Sequence, residues 1–402
     1  MKKIYLSAPG LICCAGQNKD ELYSSCLTGY QGGLKMMELF DGKQFPTGLV
    51  IPEKHKVVSN SPVKEPSAYA GSTKIIKLIE AALEQIQSEI ENVISKYSVD
   101  RIGVCLGSCD NGSEGSILAH KALLENGAFP ADYNLRFQSA SFAAEFIAAK
   151  FGLQGPVITT ATACASGTSA IIRGAELIRS GFCDAVIAGG ADVVSETVLL
   201  GFHALDALSE NLANPFSKNR KGINLGEGAA FFVLDTVPFA QAENIELLGY
   251  GESCDAYHMT APGIDGAGPA NAMKAALANA GIEPSQIGYV NLHGTGTLLN
   301  DKAEAIAMKN VFSGLTPPSS SIKPITGHSL GTAGSLETAI CWMTLNMKKG
   351  LPLHCWDGEK DEELPFHPYT NMSEPPSICM NNNFAFGGCN VSLILGRSNP
   401  IV

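Results

Sequence analysis

PVITTATACASGTSAIIRGAELIRSGFCDAVIA, residues 156–188, reads as strand, thiol, helix and strand in immediate succession. Residues 156–160 (PVITT) form a short strand, and residues 185–188 (AVIA) form the next. Between them the spacing predicts a helix over 166–179. Its apolar residues Ile171, Ala175 and Ile178 fall at i, i+4 and i+7, and Gly181 stands just past its end as a stop. Cys164 lies where the first strand stops and the helix starts. There a thiol meets the positive end of the helix dipole and free N–H groups. Both favour the thiolate, the reactive form of cysteine. The neighbours Ala163, Ala165, Ser166 and Gly167 are small and leave room for a reacting group. On these residues alone a buried, inert cysteine is an equally good reading.

The same style runs outward in both directions. Residues 101–106 (RIGVCL) are a buried strand entering the loop 107–115. In the second half, 270–280 is a helix stopped by Gly281, 287–292 a strand, and 301–309 a helix for which Asn310 is a candidate stop. Residues 332–348 are a long helix with Gly350 beyond it, and 391–395 a closing strand. Strands alternating with helices make an α/β protein with largely parallel pairing. No tandem repeat of roughly 20–50 residues is present. The halves nevertheless look alike, each with a strand feeding a functional loop and then a helix. A weak break at 237–244 divides them into 1–240, with Cys164, and 241–402. Residues 357–376 are charged and proline-rich and read as a surface loop. At the N-terminus Pro9-Gly10 interrupts the apolar run after Lys2-Lys3, so 4–8 is a first strand and not a secretion signal. No continuous apolar stretch of about 18 residues exists, so no membrane span is expected.

Composition narrows the function. Of 402 residues, 39 are Asp or Glu and 28 Lys or Arg, a net charge of −11 that argues against a nucleic-acid binder. The 12 cysteines include no CxxC pair and no zinc-like spacing, so most are small buried hydrophobes of a reducing compartment, and a cytoplasmic location is expected.

Three more segments carry chemistry. In 291–297 (NLHGTGT), His293 sits at a strand end, where sites collect in parallel sheets, beside two Gly and two Thr. A structural histidine is as good a reading of those residues alone. In 321–334 (SIKPITGHSLGTAG), Lys323 precedes His328 by five residues, and a nearby ammonium would hold an imidazole neutral, although on those residues alone a solvated loop lysine is the better reading. In 381–390 (NNNFAFGGCN), Phe384 and Phe386 point one way. Gly387-Gly388 then breaks the strand and would free an N–H for an oxyanion; an ordinary hydrophobic strand ending in a turn is the other reading.

Taken in order, a nucleophilic Cys, HGTGT, KPxTGHxxGxAG and FxFGGxN resemble the β-ketoacyl synthases over nearly the whole chain. His328 in the TGH motif resembles the Cys-His-His branch that elongates chains on acyl carrier protein. Segments 222–234 (GINLGEGAAFFVL) and 249–263 (GYGESCDAYHMTAPG) are similar to the ketosynthases of aryl-polyene clusters. The resemblance implies a thiolase-like five-layered α/β/α/β/α sandwich of two duplicated halves, normally dimeric. It implies an acyl group on Cys164, condensed with a malonyl thioester by decarboxylation at His293 and His328. Lys323 would orient the loop and Glu304 would pair near His293. Thr295, Thr297 and Phe384 would contact the substrate arm. The N–H groups of Cys164 and Phe386 would form the oxyanion hole, with Phe386 also the gate. No cofactor and no catalytic metal are implied, although Asn291, Glu337, Asn381 and Asn390 match a structural cation site of some members. The partners implied are acyl carrier protein and a second subunit, either a copy of this chain or a chain-length partner.

Three positions depart from the family pattern: Ala385 for a usual Gly, Cys389 for a usual Thr, and Lys221 for an acid in PFSKNRKG. Lys218, Arg220 and Lys221 form a basic cluster in an acidic chain, expected to dock the carrier protein. Three rival readings are a coenzyme A thiolase with Cys389 as second thiol, a non-catalytic chain-length subunit, and a Cys hydrolase.

Overall fold

The computed structural model describes residues 2–39, 41–50, 73–109, 112–131, 133–240, 244–347, 349–371 and 374–398. Positions 110–111 of the expected loop, 241–243 of the expected break, 348 and 372–373 lie outside the described residues. The first part of the chain runs β1 (Tyr5–Leu6), β2 (Gly10–Cys13), α1 (Lys19–Thr28), β3 (Lys35–Glu38), β4 (Gln44–Thr47), α2 (Thr73–Glu84) and α3 (Gln87–Lys96). It continues with β5 (Ile102–Gly107), α4 (Ser113–Asn126), α5 (Phe142–Phe151), β6 (Val157–Thr160), α6 (Ser166–Arg179), β7 (Ala185–Asp192), α7 (Glu196–Ala204) and β8 (Gly228–Asp235). The second part runs β9 (Ile245–Cys254), α8 (Ala267–Ala280), β10 (Tyr289–Asn291), α9 (Leu298–Phe312) and β11 (Ser319–Ser320). It closes with α10 (Lys323–Thr326), α11 (Ala333–Met347), β12 (Ile378–Phe384) and β13 (Cys389–Arg397).

The strand pairing repeats. One block runs β2–β8–β7–β5–β6 and the other β9–β13–β12–β10–β11. In each block the first two junctions are antiparallel and the last two parallel. The short β1 joins them, because Tyr5 pairs with Asp235 on β8 and with Glu246 on β9. A hydrogen-bonded sheet of 11 strands results among the described residues.

Side-chain alternation sorts these strands into layers, since successive residues face opposite sides. On β8, Ala230, Phe232 and Leu234 join a central core with Ile171 and Ile172 of α6 and Leu336, Ile340 and Trp342 of α11. The intervening Ala229, Phe231 and Val233 face α2 and α5. On the other block, Val391 and Leu393 face the central helices, while Met380 and Ile394 face α8 and α9. The order is outer helices, strands, α6 with α11, strands, outer helices: the expected five layers.

The two central helices meet at their N-termini through glycine. A Cβ on Gly167 would lie 2.4 Å from Ser335 Oγ, and one on Gly334 would lie 2.1 Å from Thr168 Oγ1. Each helix is entered by a 3₁₀ turn, Ala163–Ala165 before α6 and Leu330–Thr332 before α11. Both turns open on a non-glycine residue in the left-handed region, Ala163 at φ 48° and Leu330 at φ 52°. Such a residue costs about 1–2 kcal/mol, which the interlocked helix ends over-determine. The helix expected at 301–309 is longer than that span. It starts at Leu298 and ends at Phe312, capped by Ser313 in the left-handed region, so Asn310 does not stop it. Burial of Val311 and Phe312 carries the helix past it. No helix among the described residues is long and apolar enough to cross a membrane.

Candidate active site

Four segments converge on one cavity of about 280 Å³ lined by Cys164, His293, His328, Thr295, Thr297, Phe384 and Phe386. Cys164 occupies the turn ahead of α6 and is 6% exposed. His328 precedes α11, and its Nε2 lies 2.9 Å from Cys164 Sγ. His293 follows β10, with its ring centroid 5.5 Å from that of His328 and nearly perpendicular to it. The backbone N–H of Phe386 also faces the sulfur and favours its anion.

Lys323, 2% exposed, is held by three acceptors. Its Nζ lies 2.5 Å from Glu337 Oε1, 2.5 Å from the His293 carbonyl and 3.3 Å from His293 Nδ1. A cationic donor on Nδ1 leaves the His293 proton on Nε2, by the logic of the hydrogen-bond network. Burial, reinforced by the Lys323 charge, lowers both histidines well below the usual imidazole range, so both are neutral. The expectation of a neutral imidazole holds, with the direct contact falling on His293.

The resting thiol differs from expectation. Burial pushes Cys164 up to about 12, against the opposing pull of Lys323. A helix N-terminus contributes at most about 2 kcal/mol, roughly one and a half pKa units, too little to reverse this. Cys164 therefore rests as a thiol beside a neutral base, and ionisation accompanies reaction.

Glu304 does not enter the cavity. Its carboxylate accepts the N–H groups of His293 and Gly294 at 2.8 and 2.7 Å, clamping the loop from behind. Burial raises it to about 8 despite those donors. Thr295 and Thr297 hydroxyls lie 3.1 Å apart on the cavity wall. Phe384 and Phe386 part company, because β12 ends at Phe384. Phe384 packs near His293, and Phe386 stacks on Phe202 of α7 at 5.8 Å.

Two groupings expected from the sequence form only in part. Of the cation set, Asn390 stands apart, turning to Asp255 at 2.7 Å, and Glu337 bonds Lys323 and Asn383. Asn291 and Asn381 bond each other, and Asn291 Oδ1 is buried with no hydrogen-bond partner. The basic cluster also divides. Arg220 is 5% exposed and pairs with Asp361 at 2.6 Å, with Asp301 at 3.9 Å, so it is a buried structural ion. Lys218 pairs with Glu359 on the surface. Lys221 is exposed and, alone of the three, borders the cavity.

Sequence reasoning missed Phe202 and Asp192. Asp192, fully buried at the end of β7, accepts from Ser108, Cys109 and Gly331 and ties the loop after β5 to the turn before α11. An acid closing the apolar run AGGAD was the available signal. Cys389, the second thiol of the thiolase reading, is not among the cavity-lining residues.

Comparison with known proteins agrees with this geometry. Residues 75–240 match the Beta-ketoacyl synthase, N-terminal domain, and residues 245–354 the Beta-ketoacyl synthase, C-terminal domain. The chain is 35% identical over 318 residues to 3-oxoacyl-[acyl-carrier-protein] synthase 2 of Staphylococcus aureus, covering 76% of this chain and 77% of that one. It is 30% identical over 417 residues to the protein of the same name from Coxiella burnetii, covering 98% and 99%. Among solved structures it resembles the ketosynthase ApeO of Xenorhabdus doucetiae, determined in complex with its chain length factor ApeC. That match has a TM-score of 0.89 and 36% identity over 99% of this chain and 98% of that one. A cysteine and two neutral histidines gathered from duplicated halves, with both domain models matched in sequence order, place this chain in the β-ketoacyl synthase family of condensing enzymes.

Proposed function

We propose that the chain is a 3-oxoacyl-[acyl-carrier-protein] synthase that elongates an acyl group held on Cys164 with a malonyl unit delivered by acyl carrier protein. In the first step the Cys164 sulfur attacks the acyl thioester while His328 Nε2, 2.9 Å away, takes its proton and returns it to the departing carrier thiol. Malonyl carrier then enters. Loss of CO₂ leaves an enolate, whose oxygen needs hydrogen-bond donors. The Nε2–H of His293 supplies one, and His328 supplies the other once its ring proton has passed from Nδ1 to Nε2 through solvent. The carbanion attacks the acyl carbonyl, and the resulting oxyanion rests on the N–H groups of Cys164 and Phe386. Collapse releases the 3-oxoacyl carrier and a Cys164 thiolate that regains a proton. No metal or redox cofactor takes part in this scheme.

Lys323 fixes the tautomer of His293, Glu304 fixes its loop, and Thr295 and Thr297 hold the carrier's arm. Residues 1–240 and 241–402 act as the two halves. The likeness to a ketosynthase of an aryl-polyene type, solved with a chain length factor, supports a heterodimer of that kind. The proposed location is the cytoplasm. The observation that carries the reading is the 2.9 Å approach of His328 to Cys164, with His293 facing the same cavity. Cys164→Ala tests it: intact-mass spectrometry should show no acyl adduct and malonyl-carrier condensation should cease. Condensation near the wild-type rate would end the proposal.

A further inference from the structure

Outside the reaction cavity, two thiols stand directly opposite each other. Cys389 opens β13 and pairs in register with Cys254, which ends β9, in an antiparallel ladder. The bond from Asp255 N–H to Gly388 O, at 2.8 Å, flanks that pair. A bond between the flanking residues marks a non-hydrogen-bonded pair, in which opposed Cα atoms are about 4.5 Å apart and side chains lie closest. That spacing falls within the range a disulfide spans, about 4.4–6.8 Å between Cα atoms. Both cysteines are free; Cys254 is exposed and Cys389 half-buried. Facing residues of an antiparallel pair share one side of the sheet, so both sulfurs project the same way.

The pair also borders the turn that carries Phe386. Ala385 N–H bonds the Cys389 carbonyl at 2.8 Å, and Gly387 N–H bonds Met259 O at 2.7 Å. Cys254 Sγ approaches the Gly387 carbonyl at 3.9 Å. Gly387 and Gly388 take φ of 82° and 76°, a conformation that glycine adopts freely and from which the turn can move. A covalent link from Cys389 to β9 would anchor one end of that turn.

We propose that Cys254 and Cys389 are a reversible thiol–disulfide modification site that restrains the Phe386 turn. The oxidant is a low-molecular-weight disulfide. The Cys254 thiolate, the more accessible, attacks one of its sulfurs and expels the first small thiol. The Cys389 thiolate then attacks Cys254 Sγ in the mixed disulfide and expels the second. One protein S–S bond forms, each protein thiol gives up a proton, and the small disulfide is reduced to two thiols. A small dithiol reverses both steps.

The test uses the full-length enzyme treated with oxidised glutathione and digested without reduction. Expected is a cross-linked peptide joining Cys254 to Cys389, absent from Cys254→Ser and Cys389→Ser and removed by dithiothreitol. The turnover arm rests on the function proposed above; the cross-link arm does not. Oxidised wild type should lose most of its condensation rate and regain it with dithiothreitol. The Cys254→Ser/Cys389→Ser double variant, as active as wild type when reduced, should lose only the part due to Cys164 oxidation. Glutathione adducts at Cys254 without the cross-link would overturn the site. A full cross-link with turnover equal to that of the treated double variant would overturn its restraint of the turn.

Discussion

Lys323→Met removes one cation from an enclosed set in which every partner was placed to meet it. The ammonium satisfies Glu337, the His293 carbonyl and His293 Nδ1 at 2.5, 2.5 and 3.3 Å, with Lys323 and Glu337 each 2% exposed at the side chain. Taking one member from a buried ion pair costs about 3–5 kcal/mol. Against a typical total of about 5–15 kcal/mol, the variant folds but is visibly weakened in urea titration. Burial already raises Glu337, and Lys323 opposes that rise. Without the cation its folded pKa climbs further above the unfolded value. The sign follows: a raised folded pKa contributes stability below the unfolded pKa that is lost as pH rises. Both proteins share the loss up to the raised folded pKa of Glu337 in the wild type, so the stability deficit should widen as pH rises above that value. On the rate, loss of the group that orients the His293 donor should lower kcat about 10²–10³-fold, the usual effect of losing one preorganised donor. Lys323→Met/Glu337→Gln separates the two effects. It should recover most of the stability while the rate stays low. If the double variant regains wild-type turnover, or the single variant unfolds at the wild-type urea midpoint, the role given to Lys323 is wrong.

Other outcomes follow from the same geometry. Because burial holds the Cys164 thiol up at about 12, its alkylation by iodoacetamide should keep accelerating through pH 10; a plateau near pH 7 would mean a resting thiolate. His328→Ala should reduce CO₂ release from malonyl carrier about 10²–10³-fold, with near-ultraviolet circular dichroism unchanged; decarboxylation at the wild-type rate would remove His328 from that step. Arg220→Glu, placed against Asp361 and Asp301, should cost several kcal/mol in urea titration, since it buries like charges together. Lys221→Glu, exposed at the cavity edge, should leave stability within about 0.5 kcal/mol and raise KM for carrier-bound substrate; an unchanged KM would exclude it from carrier docking.

What could be read in advance followed from local rules. The α6 boundaries agree at both ends, Ser166 and Arg179, because small residues, an apolar stripe and a following glycine specify them locally. Cys164 was recognisable from its place between a strand and a helix among small residues, and His293 and His328 from the glycine-rich loops that hold them. Charge state was less legible. The basic run around Arg220 looks like a docking patch in sequence. Only the fold shows that Asp301 and Asp361 arrive from elsewhere to bury it. The thiolate expectation failed similarly: the helix end was visible, but the depth of burial depends on elements far away in the chain. Asn390 was assigned to a cation site by its motif, yet the ladder that sets Phe384 opposite it turns its amide toward Asp255.

The twin turns ahead of α6 and α11 have a consequence for how such a molecule can change. By position, Gly331 is the counterpart of Cys164. A side chain there would meet Asp192 Oδ2 at 2.5 Å. One copy of the architecture is thus armed and its twin is closed by a carboxylate that braces both loops. Mirroring the reactive sulfur would require dismantling that brace, so the scaffold is symmetric in outline but committed to a single reaction centre.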